Sequence, residues 1–232
     1  MTTQNSGYTG VEILEALRNA TNYNALLVSL IAQGANGRRA MVDFGAGIGT
    51  FAKLLRERGV SITCIEPDPV LATNLIREGF TTFPDVEALK DDSVDFLFSL
   101  NVVEHIEDDE AAVGAIVRKL KRDGRLLIYV PAFQCLWTSL DTKVKHFRRY
   151  RRRELEKLVR SPGLKVCQSR YVDTLGFAAA LLFKLGGNGE GELKPSLIKL
   201  YDRYVIPISK VLDHIFGRLF GKNVYVICEK DS

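Results

Sequence analysis

The chain has 232 residues, 46% of them hydrophobic and 26% charged, a composition that excludes disordered and fibrous proteins and fits one globular domain. Its formal net charge of +4 is too mild to imply a nucleic-acid partner, and no apolar run reaches the length of a membrane span. The cysteines Cys64, Cys135, Cys167 and Cys228 stand far apart without metal-ligand spacing, which points to reduced thiols, a cytoplasmic setting and no metal.

The first ten residues are polar, carry no signal-peptide pattern and are expected to be flexible. Val11 to Ala32 has helical periodicity with a break near Thr21-Asn22. Strand and helix signals then alternate. Strands are expected at Ala40–Phe44, Ser61–Glu66, Thr81–Phe83, Val94–Leu100 and Arg125–Val130. Helices are expected at Thr50–Arg58, Pro69–Glu78 and Asp108–Lys121, with a turn near Val86–Leu89. This alternation predicts an α/β fold, a mostly parallel, doubly wound sheet with helices on both faces. Pro131 to Tyr150 reads as a long irregular segment, followed by a short helix at Arg152–Ser161 and strands at Leu164–Val172 and Val224–Glu229. Between those strands, Leu175–Leu185 and Ser196–Phe220 are apolar helices. The chain thus divides as a single domain over 1–232: N-terminal helices at 10–35, a core at 38–172 and 222–230, and a helical insertion at 173–221. An insertion that long is expected to serve as a lid or small subdomain.

The strand Ala40–Phe44 ends at Asp43-Phe44 and runs into Gly45-Ala46-Gly47-Ile48-Gly49-Thr50. Alternating glycines allow a sharp turn and close approach of a ligand to the backbone. The helix start behind them offers free N–H groups to a polar ligand, and Asp43 can accept hydrogen bonds from a cationic amine. A dinucleotide fingerprint needs glycine at the position after Gly49, where Thr50 stands. About twenty residues past the glycines the next strand ends in Glu66, followed by Pro67-Asp68-Pro69; an acid there can accept both ribose hydroxyls of a nucleoside. Asp85-Val86 follows the third strand, and Asn101-Val102-Val103-Glu104-His105 leaves the fourth at its carboxyl end, where ligands of α/β folds bind.

The D-x-G-x-G-x-G turn resembles motif I of class I S-adenosylmethionine (SAM)-dependent methyltransferases, and the later elements follow in the order of that superfamily. The resemblance covers roughly residues 20–170. It implies a Rossmann-like seven-stranded sheet of order 3-2-1-4-5-7-6 with strand 7 antiparallel, the insertion falling between strands 6 and 7. It further implies that Tyr23, Asp43, Gly45, Ala46, Gly47, Gly49, Glu66, Pro67, Asp85, Val86, Asn101 and Val102 hold SAM, released as S-adenosylhomocysteine (SAH). Tyr23-Asn24 resembles the pair that closes over the methionine end, and Asp85 stands where relatives place an acid or amide against the adenine amine.

The segment after the fifth strand, from Pro131-Ala132 through Leu136-Trp137 and Asp141 to His146-Phe147-Arg148-Arg149-Tyr150, resembles a bacterial subfamily found in cell-surface glycan and natural-product pathways. Lys145 stands where that subfamily has glycine, and Phe147 where it has tyrosine. The arginines of Arg148–Arg153 crowd a helix start, where the macrodipole disfavours cations. They are expected either to hold an anionic acceptor group or to pair with Asp141 and Glu154. On this reading Trp137, Arg148 and Arg149 bind the acceptor, while His105, His146 and Tyr150 are catalytic: His146 and Tyr150 stand close to the transferred methyl, and His105 and His146 are the candidates for a general base where the acceptor needs one. The expected reaction is methyl transfer to an O or N nucleophile of a small molecule, possible anionic or lipid-linked forms included; a peptide or protein methyltransferase and a non-catalytic SAM-binding scaffold are the alternatives. The basic, apolar C-terminal helices allow peripheral membrane contact, and the chain is expected to be either a monomer or a homodimer through those helices.

Overall fold

The computed structural model describes residues 11–185 and 195–231. The first ten residues and positions 186–194 of the expected insertion lie outside them. Helices α1 (Val11–Arg18) and α2 (Thr21–Ala35) precede β1 (Ala40–Phe44), α3 (Thr50–Arg56), β2 (Ser61–Ile65), α4 (Pro69–Arg77), β3 (Thr81–Phe83) and β4 (Val94–Leu100). Next come α5 (Asp109–Lys119), β5 (Leu120–Pro131), α6 (Ser139–Lys143), α7 (Arg152–Arg160) and β6 (Leu164–Val172). The chain closes with α8 (Thr174–Leu185), α9 (Pro195–Leu200), α10 (Ile206–Phe216) and β7 (Asn223–Lys230).

Local chemistry sets several of these boundaries. Asp68 caps α4, accepting the N–H groups of Val70 and Leu71, with Pro69 at the first helical position. Asp108 caps α5 through the Ala111 N–H. Asn36, at φ 49°, closes α2 in the left-handed conformation.

The seven strands form one sheet in the order β3-β2-β1-β4-β5-β7-β6, parallel except for β7, which runs antiparallel between β5 and β6. Alternation along each strand feeds two cores. Val42, Leu97, Leu126 and Ile128 pack on one face with Ile116 of α5 and Val159 of α7. Met41, Phe96, Phe98, Leu127 and Tyr129 pack on the other with Leu27 and Ile31 of α2. The chain order reverses between β1 and β4, so the loops after their carboxyl ends diverge and leave a crevice.

Three expectations change. The strand expected at Arg125 begins at Leu120, because the chain bulges where β4 pairs first Leu120 and then Arg125. The segment expected to be irregular contains α6, started by Thr138, whose N–H donates to Asp141 at 2.8 Å. The helix expected at Ser196–Phe220 is interrupted by a π-helical turn at Tyr201–Val205, next to Pro207. Proline has no N–H and its ring excludes the carbonyl four residues back, so the helix widens ahead of it.

Candidate active site

A cleft of about 1180 Å³ opens at the carboxyl ends of β1, β2 and β4. The turn after β1 forms one wall. The N–H groups of Gly45 and Ala46 donate to the Ile65 carbonyl at 2.9 and 3.1 Å, and the Gly47 N–H donates to Glu66 Oε2 at 2.7 Å. Glu66 Oε1 accepts from the Asp68 N–H at 2.9 Å. Glu66 thus ties two loops together while keeping further lone pairs for a ligand. A Cβ on Gly45 would stand 2.3 Å from Val102 and φ there is +82°, so only glycine lets the two loops meet. Gly49 corrects an expectation: it is absent from the cleft lining, and a Cβ there would strike Leu75 of α4 at 2.6 Å. Its role is close packing at the start of α3.

Asp43 lines the cleft fully buried, with Oδ2 lacking any hydrogen-bond partner. Burial, and then the charge of Glu66, push its pKa up to about 8. A buried acid with an orphaned oxygen fits a cationic amine. Opposite, Asn101 adopts φ +54° and its Nδ2 donates to the Tyr23 hydroxyl at 3.4 Å, joining two residues far apart in sequence. Asp85 also lines the cleft, and its Oδ1 accepts the Glu87 N–H at 2.8 Å, so it caps the turn at Val86–Ala88. Pro67, Val86, Val102, His105 and His146 complete the expected residues found there. The insertion closes one side through Leu197, Ile198, Tyr201 and Asp202.

At its other end the cleft adds Glu104 and Asp141, which sequence reasoning left out of the site, to the expected His105 and His146. Glu104 is fully buried and neither carboxylate oxygen has a partner; burial pushes its pKa up to about 8. His105 and His146 meet edge to face with ring centroids 4.5 Å apart. Burial, and then His146, push the His105 pKa down to about 4, while a bond to the Val144 backbone opposes them. The His146 Nδ1 stands 2.8 Å from Asp141 Oδ1, and the Phe147 N–H donates to the Glu104 carbonyl at 2.8 Å, pinning this segment over the loop after β4. Lys145, where the resembling subfamily has glycine, sits at φ +60° in the left-handed region that glycine prefers. Glu104 stood inside the quoted Val103-Glu104-His105 motif, but nothing local marks it as buried. Asp141 stood inside the Trp137–Asp141 motif and read only as a possible partner for arginine.

The basic segment corrects three expectations. Arg149 Nε and Nη2 bind Asp141 Oδ1 and Oδ2 at 2.8 and 2.9 Å, well buried, so Arg149 is spent on a fixed partner. Burial alone would raise the Asp141 pKa, but hydrogen bonds from His146 and Arg149 outweigh it and hold the carboxyl below the usual range. Arg148 pairs with Asp109 at 2.6 Å. Tyr150 lies in the core with its hydroxyl donating to Asp109 Oδ2 at 2.7 Å. None of the three lines the cleft. Acids stand in the same helix: the Arg151 backbone N–H donates to Glu154 at 2.7 Å, and the Arg152 side chain approaches Glu156 at 3.7 Å. Trp137 is also outside the lining; its Nε1 donates to Thr142 at 3.2 Å and its ring stands 6.4 Å from that of His146.

Residues 16–169 match the family model described as a methyltransferase domain. This chain is a methyltransferase domain of the class I, SAM-dependent kind. Two curated relatives, uncharacterized methyltransferases of Mycobacterium sp. strains KMS and MCS, are each 33% identical over 120 residues, covering 48% of this chain and 46% of theirs. The chain thus spans about half the length of the curated relatives it matches. A SAM-dependent methyltransferase from Archaeoglobus fulgidus shares the fold with a TM-score of 0.59 at 16% identity, covering 89% of this chain and 94% of that one. The Haloferax volcanii putative methyltransferase complex with the Trm112 activator matches with a TM-score of 0.63 at 15% identity, over 99% and 100% of the two chains. The methyltransferase domain fits its cofactor on its own geometry: an orphaned buried acid at Asp43, a glycine cradle and an acid at Glu66 all face one cleft. Among the described residues no helix is long and apolar enough to cross a membrane.

Proposed function

We propose that the domain methylates a small, largely apolar molecule at a hydroxyl or amine. The single observation that carries this reading is the division of one cleft into two chemistries, a turn-and-acid end at Gly45–Gly47, Asp43 and Glu66 and a carboxylate–imidazole end at Glu104, His105 and His146. SAM, when bound, supplies the methyl carbon, whose bond to sulfur breaks with the electron pair staying on sulfur as the acceptor forms its new bond. Glu66 accepts the ribose hydroxyls, Asp43 accepts the amine, and Tyr23 and Asn101 cover the methionine end. Fixing cofactor and acceptor at opposite ends of a closed cleft supplies the alignment that dominates such a transfer.

Leu17, Ile106, Leu140, Val144 and Ile198 also line the cleft, which supports an acceptor with an apolar body. The anionic group expected from Arg148 and Arg149 loses its support, because both arginines are paired inside the protein. Calorimetry tests the reading: SAM and SAH bind, NAD does not, and Glu66→Ala loses about 1–3 kcal/mol of affinity. Labelled methyl then moves from SAM into the small-molecule fraction of a cell extract. Label appearing only in protein favours a peptide methyltransferase, and no transfer at all favours a binding scaffold.

A further inference from the structure

The carboxylate–imidazole end of the cleft has an arrangement that hydrogen bonding does not explain. Glu104 is 0% exposed, and both its oxygens lack a partner. His146 Nε2 stands 3.9 Å from Oε1, too far for a hydrogen bond. One ligand atom each from Glu104, His105 and His146 nevertheless lies within 4.8 Å of the others. The two imidazoles pack edge to face, and the Glu104 carboxylate faces them without a hydrogen bond. Two donors on a single ion bound at about 2.0–2.2 Å stand up to about 4.4 Å apart, so the Glu104–His146 separation already suits a shared ion, and small side-chain rotations bring in the third donor.

The surroundings are those of a supported metal site. His146 directs Nδ1 at Asp141, leaving Nε2 facing Glu104, and His105 bonds the Val144 backbone with its ring. Metal-binding histidines characteristically use the second nitrogen in this way, on a carboxylate or a backbone carbonyl. The charge of Arg149 acts on Glu104 and opposes the rise in its pKa, but the guanidinium hydrogen-bonds Asp141 and the Ala132 carbonyl rather than Glu104. A fully buried carboxylate without hydrogen bonds is costly unless a cation joins it.

We propose that Glu104, His105 and His146 bind one divalent first-row metal ion, of the zinc, cobalt or manganese kind, at the acceptor end of the cleft. This rests on the methyltransferase reading for its chemistry but not for its existence. Two imidazoles and a carboxylate favour such ions over the all-oxygen preference of calcium and magnesium. Three protein ligands leave coordination positions open to the cleft. An acceptor hydroxyl bound there has its pKa lowered by the ion and loses its proton to water, and the resulting oxyanion attacks the methyl carbon as the carbon–sulfur bond breaks onto sulfur. The two histidines then act as ligands rather than as proton carriers, and the acceptor is an oxygen nucleophile.

The test uses untagged, chelator-stripped full chain titrated with cobalt(II), followed by visible ligand-field absorption and calorimetry, with zinc competition. One ion per chain is expected. Glu104→Gln and His146→Ala should each weaken binding at least about 10–100-fold, the range seen even for supporting residues of metal sites. SAH affinity, measured on the same samples, should stay within a few-fold and so report that the variants are folded. Absence of cobalt, zinc and manganese binding in a protein that binds SAH overturns the proposal, as does binding undiminished in both variants. Metal binding without SAH binding would instead count against the methyltransferase reading and leave the site intact.

Discussion

Asp202 caps the helix that carries Tyr23: its Oδ1 accepts the Tyr23 N–H at 2.8 Å, and its Oδ2 accepts the Asn22 N–H at 3.1 Å. Helix α2 has no side-chain cap of its own, since Ala20 occupies that position. The insertion therefore supplies from far along the chain what the local sequence lacks, and ties itself to Tyr23, which lines the cleft beside it. Asp202→Ala should cost about 0.5–2 kcal/mol, the value of a helix cap, and should weaken SAH several-fold as Tyr23 loosens. Urea denaturation and calorimetry measure the two effects. Lost stability with unchanged SAH affinity would separate the insertion from the cofactor site.

Asp43 makes the cofactor end pH-dependent. Its folded pKa of about 8 lies above the ordinary aspartate value of 3.8, so between those values the empty folded protein holds a proton that the unfolded chain has released. Stability of the empty protein therefore falls as pH rises across that window. Asp43→Asn removes this term, and the variant should gain on its parent as pH rises from 4 to 8. Binding the SAM amine favours the ionised acid, so at pH 7 it should release a proton, and affinity should rise towards pH 8. Calorimetry in buffers of different ionisation heat measures the release, which Asp43→Asn should abolish along with much of the affinity.

Arg148 and Arg149 are adjacent but should behave differently. Arg149 forms a two-point, largely buried pair with Asp141, and breaking such a pair costs about 3–5 kcal/mol. Arg148 pairs with Asp109 at a third exposure, where water screens the charge, and its loss should cost under about 1 kcal/mol. Thermal denaturation of Arg149→Gln and Arg148→Gln checks the order. Because Asp141 also orients His146, the Arg149 variant should lower methyl transfer as well. A variant that keeps full stability and loses only acceptor affinity would return Arg149 to the acceptor.

The elements legible in the sequence were those written in local code. Hydrophobic alternation specified β1, β3, β4 and β6 to the residue, Asp68-Pro69 started α4, and Asp43, the glycine turn and Glu66 announced a nucleoside cleft, because strand period, caps and left-handed turns depend on neighbours within a few residues. Which charges meet is a property of the folded chain. Arg148, Arg149 and Tyr150 looked like an acceptor site, and only folding delivered Asp109 and Asp141 to them. Glu104 read as one more polar residue after a strand, and only the Phe147-to-Glu104 backbone bond and the packing of both cores bury it beside two histidines. The sequence by itself determined the order of strands and helices and singled out Asp43, the glycine turn and Glu66, which line one cleft. The tertiary structure decided which polar groups are spent on one another and which, like the Glu104 carboxylate, are buried without a hydrogen bond, because desolvation and charge pairing depend on distances across the fold that sequence separation does not encode.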